Sequence, residues 1–220
     1  MPLTIRLEVP SDFRAVEELT REAFWDVHIP GCCEHFVLHN LRQSPDFIPA
    51  LSFVALDQGT LAGHIGYSRA TIALDRGGTR PVASFGPISV HPGRQRSGIG
   101  GALIRHSLQC AAAQGFTAVC IYGDPRYYGR FGFRCAERFD IKNVQGQYAV
   151  PLLALELVPG SLAACAGRFI ESPAFAFDEA AFAAFERTFP PKESSCRPSQ
   201  AEFQLLSSLR YPPLRKEDVK

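Results

Sequence analysis

The sequence predicts an α/β fold with a mixed, mostly antiparallel sheet built around one strand–helix–strand unit. Residues 87–104 read as a strand, a tight polar turn rich in glycine and arginine, and the beginning of a helix. Residues 118–122 form a short apolar run, which is typical of a parallel strand covered on both faces. Between residues 51 and 90, β-rich segments separated by polar turns indicate an antiparallel meander that leads into this unit.

The N-terminal part of the chain predicts a strand and two helices before the meander. Residues 3–9 alternate apolar and polar side chains, as a half-buried strand does. A helix capped by Ser11 or Asp12 follows to about Phe24, and a second helix is expected over residues 33–42. The meander strands are then expected at 51–56, 61–73 and 82–90, with turns at 57–60 and 75–78.

The helix of the central unit follows from its periodicity. Pro92 ends the preceding strand because proline cannot donate a hydrogen bond to a sheet. Residues of one helix face then recur at intervals of four, three and four positions, at Ile99, Leu103, His106 and Cys110. Gly115 fits the left-handed position that commonly follows a helix.

Downstream of residue 133 the pattern weakens. Strands are expected at 134–141 and 150–157, and a short amphipathic helix at 178–189. After Pro190-Pro191 the composition shifts to Ser, Pro, Arg and Lys. We therefore expect one domain over residues 1–160, a C-terminal extension over 161–192 whose short helix packs on the domain, and a poorly ordered tail over 193–220, in which residues 203–209 could form one docking helix.

The composition is that of a soluble globular protein, with 46% hydrophobic and 20% charged residues. A formal net charge of +1 gives no reason to expect nucleic acid as a partner. The seven cysteines are odd in number and show no repeated spacing, so they do not describe a disulfide framework. With neither a signal peptide nor a run of eighteen apolar residues, the sequence predicts a cytoplasmic protein that does not insert in a membrane.

The turn between the first strand and the helix of the central unit predicts a phosphate site. The first turn of a helix has N–H groups without intrahelical partners, and glycines at Gly98 and Gly100 let a phosphate approach them. Arg94 and Arg96 can add positive charge. The P-loop pattern fails, the dinucleotide fingerprint lacks its third glycine because Leu103 stands there, and the acyl-CoA pattern Gln/Arg-x-x-Gly-x-Gly/Ala is met in full by residues 95–100.

A second motif follows the apolar run, where Gly123-Asp124 leads into the string Tyr128-Gly129-Arg130-Phe131-Gly132-Phe133. With the turn motif, this makes the chain resemble the GNAT superfamily of N-acetyltransferases, in which a Tyr-x-x-x-Gly-Phe segment follows the fifth strand. The fuller string is similar to that of the YhbS-like predicted acetyltransferases. The resemblance is strong from about residue 51 to 160 and fades after residues 189–193.

The resemblance implies the acyl-CoA N-acyltransferase (GNAT) fold, with acetyl-CoA as cosubstrate where the sheet splays between residues 82–90 and 118–122. Tyr128 is expected to face the leaving sulfur, and the Val90 N–H to polarise the thioester carbonyl, so these two are the implied catalytic residues. No metal is implied. The implied acetyl-CoA-binding residues are Ile88, Ser89, Val90, Gln95, Arg96, Ser97, Gly98, Ile99, Gly100, Gly101, Asp124 and Tyr128.

The implied reaction is direct attack by an amine acceptor, either a small molecule or a peptide, on the thioester of acetyl-CoA. A homodimer is compatible with the resemblance. Its general base stays unassigned among His64, His91 and Asp124. Trp25, with Asp26 and His28 beside it, lies where the first two helices meet, and in the resembled fold that connection lines the acceptor pocket.

Two other functions remain open at this point. A catalytically silent acyl-CoA-binding regulatory module would not need Tyr128. A nicotinamide-dependent oxidoreductase would place its glycine turn near the N-terminus rather than after a meander. A zinc site at Cys32, Cys33, His35 and His39 is not expected, because a structural site usually draws ligands from two separated segments.

Overall fold

The computed structural model describes residues 3–176 and 178–213 of the 220-residue chain. Its helices are α1 (Phe13–Phe24), α2 (Glu34–Gln43), α3 (Ile99–Ala113), α4 (Pro125–Tyr128), α5 (Glu179–Glu186) and α6 (Pro198–Ser208). Its strands are β1 (Thr4–Leu7), β2 (Phe53–Asp57), β3 (Thr60–Leu74), β4 (Thr79–Val90), β5 (Ala118–Tyr122), β6 (Arg134–Cys135), β7 (Ile141–Lys142), β8 (Tyr148–Ala149), β9 (Leu152–Glu156), β10 (Gly167–Ile170) and β11 (Arg210–Tyr211). The predicted strand–helix–strand unit is β4–α3–β5.

Nine strands of the described chain form one sheet, in the order β1-β2-β3-β4-β5-β9-β6, with β10 paired to both β3 and β7. Two of these pairings, β4 with β5 and β10 with β7, are parallel, and the others are antiparallel. The strands β8 and β11 form a separate antiparallel pair. The predicted mixed, mostly antiparallel sheet is therefore confirmed.

The sheet splays next to β4. The parallel ladder between β4 and β5 consists of a single register pair, Ala83 with Val119. Beyond it, β4 stays paired to β3 as far as Val90, but no described strand pairs with its other edge. The resulting gap opens at the carboxyl ends of two parallel strands, where open α/β sheets commonly bind ligands.

Helices cover both faces of the sheet, as the alternation along β2 shows. Val54 points to one face, where it packs against Val16 of α1 and Leu38 of α2. Its neighbours Phe53 and Ala55 point to the other face and join the cluster that contains Leu103 of α3. The first two helices and α3 therefore lie on opposite faces of the sheet.

The structure differs from the sequence prediction in the segment expected to be one strand at 134–141. Only β6 and β7 at its two ends are extended, because residues 136–139 turn through a short 3-10 helix. Asp140 then takes a left-handed backbone conformation with φ +56°, which a continuous strand does not allow.

The segment expected to be a C-terminal extension over 161–192 contributes a strand to the main sheet. β10 pairs antiparallel with the second half of β3, opposite residues 71–74. Of the expected tail over 193–220, the structure describes residues 193–213, which contain α6, overlapping the docking helix expected at 203–209, and β11. Residues 214–220 lie outside the described part of the chain.

Candidate active site

The turn before α3 presents a row of unused backbone donors. Within the described chain, no protein group accepts a hydrogen bond from the amides of residues 96–101, and the first amide bonded at this end of the helix is that of Ala102. Gly98 has φ +92°, a conformation that favours glycine, and Arg96 has φ +61°. An anion bound here gains both the free donors and the positive end of the helix dipole.

Most polar side chains around the turn form hydrogen bonds or ion pairs within the described part of the chain, and Arg96 does not. Arg94 is held by Asp57, with 3.1 Å between Nη1 and Oδ2, and the Ser97 hydroxyl donates to the Arg94 carbonyl oxygen. Gln95 Nε2 donates to the Val90 carbonyl oxygen at 3.3 Å. Arg96 is exposed and lines the cleft, so it remains the sequence-predicted cation that can reach a phosphate.

The edge of β4 offers backbone groups to the gap. The His91 N–H donates to the Ala62 carbonyl oxygen of β3 at 2.9 Å, so antiparallel alternation turns the N–H groups of Ile88 and Val90 away from β3 and into the gap. Ser89 has the opposite orientation, and its hydroxyl lies 3.0 Å from the Thr20 hydroxyl of α1. The donors expected at positions 88 and 90 thus face the cleft, whereas the Ser89 side chain is used in packing.

These elements line one continuous cleft of about 1450 Å³. One end contains the turn before α3, where Gly98, Gly100 and Gly101 line the wall and the buried Ile99 side chain anchors the helix in the core. The other end lies between the α1–α2 connection and residues 143–151. A pocket for a single small ligand occupies about 300–1,000 Å³, so the cleft has room for two substrates.

Tyr128 lies on the wall of this cleft. Its ring packs against Phe85 and Phe133, with centroid distances of 5.9 and 5.8 Å. Burial raises the pKa of the Tyr128 hydroxyl, which therefore stays protonated, and no described side chain bonds to it. Tyr127 places its hydroxyl 3.2 Å from where a β-carbon of Gly100 would stand, at the turn before α3.

The general bases considered from the sequence are used elsewhere. His64 is completely buried, lies 3.2 Å from both Ser52 Oγ and Glu8 Oε1, and does not line the cleft. Burial lowers its pKa. His91 is exposed outside the cleft, and its Nδ1 accepts a hydrogen bond from the Gly93 N–H.

Asp124 lines the cleft but is held by Arg126 through both carboxylate oxygens, at 2.6–3.0 Å. These hydrogen bonds lower its pKa, and the same carboxylate caps α4 by accepting from the Arg126 N–H. A carboxylate in this state is a weak proton acceptor.

The carboxylate that the sequence analysis missed is Glu171. It directly follows β10, is half-buried and lines the cleft. Burial raises its pKa to about 7. No sequence motif surrounds it, and only the pairing of β10 with β3 brings it to the site.

The end of the cleft between the α1–α2 connection and residues 143–151 is covered by the described C-terminal segment, residues 193–213, which we call the C-terminal strap. One end is fixed at Asp26, whose carboxylate accepts from the N–H and hydroxyl of Ser195 at 3.0 and 2.8 Å. Trp25 Nε1 donates to the Glu193 carbonyl oxygen at 3.0 Å. The other end is fixed where β11 pairs with β8, so the strap crosses the cleft from one wall to the other.

The remaining His and Cys residues near α2 are part of the packing. Cys32 Sγ lies 3.6 Å from His35 Nδ1, and His35 Nε2 lies 2.8 Å from Glu186 of α5. Burial raises the pKa of the Cys32 thiol, and His39 pairs with Glu17 at 3.0 Å. In the described ranges, no three His, Cys, Asp or Glu side chains come together as a metal site. Among the helices of those ranges, none combines the length and apolar composition of a bilayer span.

Comparison with known proteins gives consistent matches. Residues 4–136 match the family described as acetyltransferase (GNAT) domain. The chain is 28% identical over 141 residues to the uncharacterized N-acetyltransferase YhbS of Escherichia coli K12, a match covering 64% of this chain and 78% of YhbS. It is 37% identical over 90 residues to the uncharacterized N-acetyltransferase YjhQ of the same strain, covering 40% of this chain and 49% of YjhQ.

Solved structures agree with these matches. A GNAT family acetyltransferase from Brucella melitensis, in complex with acetyl-CoA, superposes with a TM-score of 0.63 at 29% identity, covering 80% of this chain and 99% of that one. The YhbS protein of Escherichia coli, in complex with CoA, gives a TM-score of 0.70 at 24% identity, covering 80% of this chain and 93% of that one.

Proposed function

This chain belongs to the acetyltransferase (GNAT) domain family, and on that premise we propose that it transfers an acetyl group from acetyl-CoA to a primary amine. The observation that carries the proposal is the continuity of one cleft. The free amides of residues 96–101, the unpaired edge of β4 and the Tyr128 side chain all line it. Acetyl-CoA carries one group for each of these features: a pyrophosphate for the free amides, an amide-bearing pantetheine arm for the edge of β4, and a thioester for Tyr128.

In this proposal, the turn before α3 holds the pyrophosphate through its free amides and Arg96. The N–H groups of Ile88 and Val90 donate to the pantetheine arm and the thioester. At Val90 the N–H points at the carbonyl oxygen on which negative charge develops when nitrogen attacks, so its hydrogen bond strengthens in the transition state. No covalent enzyme intermediate is needed, and the cysteines take no part.

Tyr128 acts on the leaving sulfur. As the bond from carbon to nitrogen forms, the bond from carbon to sulfur breaks, and the sulfur leaves as a thiolate that must be stabilised and protonated. An ordinary thiol titrates near 8.5 and a phenol near 10, and burial raises the phenol further, so the neutral hydroxyl stabilises the thiolate mainly as a hydrogen-bond donor.

Two measurements on the purified protein test this function. Calorimetric titration with acetyl-CoA, and separately with a nicotinamide dinucleotide, identifies the cosubstrate, and we expect saturable binding of acetyl-CoA alone. Release of CoA thiol in the presence of a panel of primary amines then detects turnover. Acetyl-CoA binding without turnover on any amine would instead identify a silent acyl-CoA-binding module. Binding of the nicotinamide compound alone would contradict the proposal entirely.

A further inference from the structure

The end of the cleft under the C-terminal strap, which we call the acceptor end, contains a carboxylate that the reaction above leaves unused. Glu171 lines this end together with Tyr122, the last residue of β5. Burial alone accounts for its raised pKa, since no hydrogen bond or opposite charge from the described residues opposes it. Tyr122 is the ionisable neighbour on β5, and its own pKa is raised by burial and then by the Glu171 charge. A desolvated carboxylate without a cation is a costly group to keep in a cleft unless a ligand supplies the cation.

The other carboxylates on the cleft wall already have partners. Glu34, from α2, lies 2.8 Å from His28 Nδ1. Asp124 and Glu202 both bind Arg126, at 2.6 and 2.7 Å. A cationic acceptor that enters the cleft therefore meets one unpaired carboxylate among the described residues.

The C-terminal strap limits what can enter. Its helix α6 lies over the acceptor end and lines it with Ser199, Glu202, Phe203, Leu206 and Ser207. The Phe203 ring stacks on His28 of the opposite wall, with 4.2 Å between the centroids. An extended polypeptide needs an open groove on both sides of its reacting nitrogen, and the strap crosses the position of such a groove.

We propose that the acceptor is a small molecule carrying a primary ammonium group on an apolar body, bound under the C-terminal strap with its ammonium group on the Glu171 carboxylate, which accepts its proton. The apolar body would lie against Phe24, Val27, Phe175 and Phe203, which line the same end. This inference rests on the proposed acetyl transfer and narrows its acceptor.

Two protons leave the acceptor nitrogen during one turnover. The bound ammonium gives one proton to Glu171, and the neutral amine attacks the thioester carbon. When the bond to sulfur breaks, the nitrogen loses a second proton, and this proton passes to the thiolate, to which the Tyr128 hydroxyl donates a hydrogen bond. The products are an amide and a free thiol, and Glu171 releases its proton to solvent before the next turnover.

The acceptor class is tested by CoA thiol release with matched substrates. We expect saturable turnover with phenylethylamine, and little or none with a short peptide that has a free N-terminus and an internal lysine. Faster turnover with the peptide would overturn this inference while leaving acetyl transfer intact. Failure of every amine would instead overturn the proposed function.

The role of Glu171 is tested with Glu171→Gln, and Glu18→Gln on the exposed face of α1 serves as the matched control. We expect the acceptor kcat/KM to fall about 10²- to 10³-fold in Glu171→Gln, with unchanged acetyl-CoA affinity and unchanged thermal midpoint. The control should retain full activity. A folded Glu171→Gln protein that acetylates phenylethylamine at the parent rate would overturn the assignment.

The pH dependence of kcat/KM for amines of different basicity separates proton transfer to Glu171 from a purely structural role of this residue. For the parent protein, kcat/KM with phenylethylamine should rise with pH through about 7, as the Glu171 carboxyl ionises. In Glu171→Gln the inflection near pH 7 should be absent, and kcat/KM should instead follow the neutral fraction of phenylethylamine as the pH rises. An arylamine, which is already neutral at the assay pH, should lose much less activity in the variant than phenylethylamine does. Equal losses for the two amines would contradict proton transfer to Glu171.

Discussion

The ring of Tyr128 packs directly over the backbone of Gly123, so closely that a β-carbon at Gly123 would stand 2.6 Å from the Cδ2 atom of the ring. Real β-carbons do not approach other atoms this closely. Gly123 directly follows β5, and Tyr128 ends α4. The strand and the short helix are thus joined through a contact that only glycine permits, and this contact sets the position of the Tyr128 hydroxyl.

Gly123→Ala should therefore displace Tyr128. We expect a destabilisation of about 1–3 kcal/mol and a fall in turnover of about tenfold or more, because the ring must move to accommodate the methyl group. The matched control is Gly129→Ala, since Gly129 is helical and has no atom near its β-carbon position. Parent-like turnover in folded Gly123→Ala, measured by thiol release, would show that the position of Tyr128 does not matter.

Tyr128→Phe keeps the ring and removes the hydroxyl. If the hydroxyl stabilises the thiolate, kcat should fall about 10²- to 10⁴-fold while acetyl-CoA affinity, measured by calorimetry, barely changes. Equal rates in the two proteins at saturating acceptor would make Tyr128 a packing residue and would favour the silent binding module.

Gly100→Val should weaken acetyl-CoA binding. A β-carbon at this position would stand 3.2 Å from Tyr127 Oη and 3.5 Å from Val90 Cγ2, and the branched side chain would extend over the free amides of the turn. Loss of two charge-assisted hydrogen bonds, at about 1.5–3 kcal/mol each, predicts a fall in affinity on the order of 10²-fold or more. Calorimetry on a variant that shows native circular dichroism checks this, and parent-like affinity would remove the phosphate site from the turn.

Much of the fold could be predicted because its information is local. The helix α3 begins at Ile99 as its periodicity predicts, and β5 spans the predicted residues 118–122. The turn before α3 could be predicted for the same reason, since its glycines and the free amides lie within one short stretch. Side-chain pairing within the turn could not be predicted, and Arg94 turned out to be held by Asp57, far away in sequence.

The elements that were missed depend on distant contacts. The strand β10 has four residues, one of them glycine, and its sequence does not predict a strand. Its extended conformation depends on pairing with β3. Glu171 was missed with it. The helix α6 overlaps the docking helix expected at 203–209 but begins earlier, in a segment of polar composition. Gln200 holds it by donating to the backbone carbonyl of Asp26 at 3.1 Å. Composition predicts whether such a segment folds alone, but not whether another part of the chain orders it.

Phe203→Ala should open the acceptor end of the cleft. Loss of the stacking contact with His28 and of the apolar wall is expected to raise the KM for phenylethylamine about tenfold, equivalent to ~1.4 kcal/mol, without changing acetyl-CoA affinity. Leu205→Ala, two residues along α6 and exposed, is the control that should leave both constants unchanged. Parallel changes in both variants would indicate general loosening of the helix rather than a wall at Phe203.

A buried network under the N-terminal strand predicts the acid sensitivity of the fold. Glu8 binds Arg42 at 2.5 Å and lies beside His64, with all three side chains almost fully buried. Burial acts to raise the pKa of Glu8, but the hydrogen bond and charge of His64 and the charge of Arg42 outweigh it and lower the pKa to about 2. Burial lowers the pKa of His64, although the hydrogen bond and charge of Glu8 act in the opposite direction.

Acidification should therefore favour unfolding, because the unfolded chain takes up protons that the folded protein resists. The Glu8 contribution is complete above about pH 4.5 and is lost as the pH falls towards 2, and the difference between 4.5 and about 2 corresponds to ~3 kcal/mol. Urea unfolding at pH 7, 5 and 3.5 measures it. Glu8→Gln should be less stable at pH 7 and lose less stability on acidification; identical pH dependence in the two proteins would exclude Glu8 as the sensor.

The single register pair between β4 and β5 has an evolutionary consequence. Beyond Ala83, the groups that β4 turns into the gap are peptide amides, which every residue except proline supplies. Mutation can therefore replace most side chains along this edge without erasing its donors, and the donor half of the cleft is inherited with the topology itself. The matched family region ends at residue 136, before Glu171 and the C-terminal strap. The edge of β4 thus lies within the matched region, whereas Glu171 and the strap lie outside it.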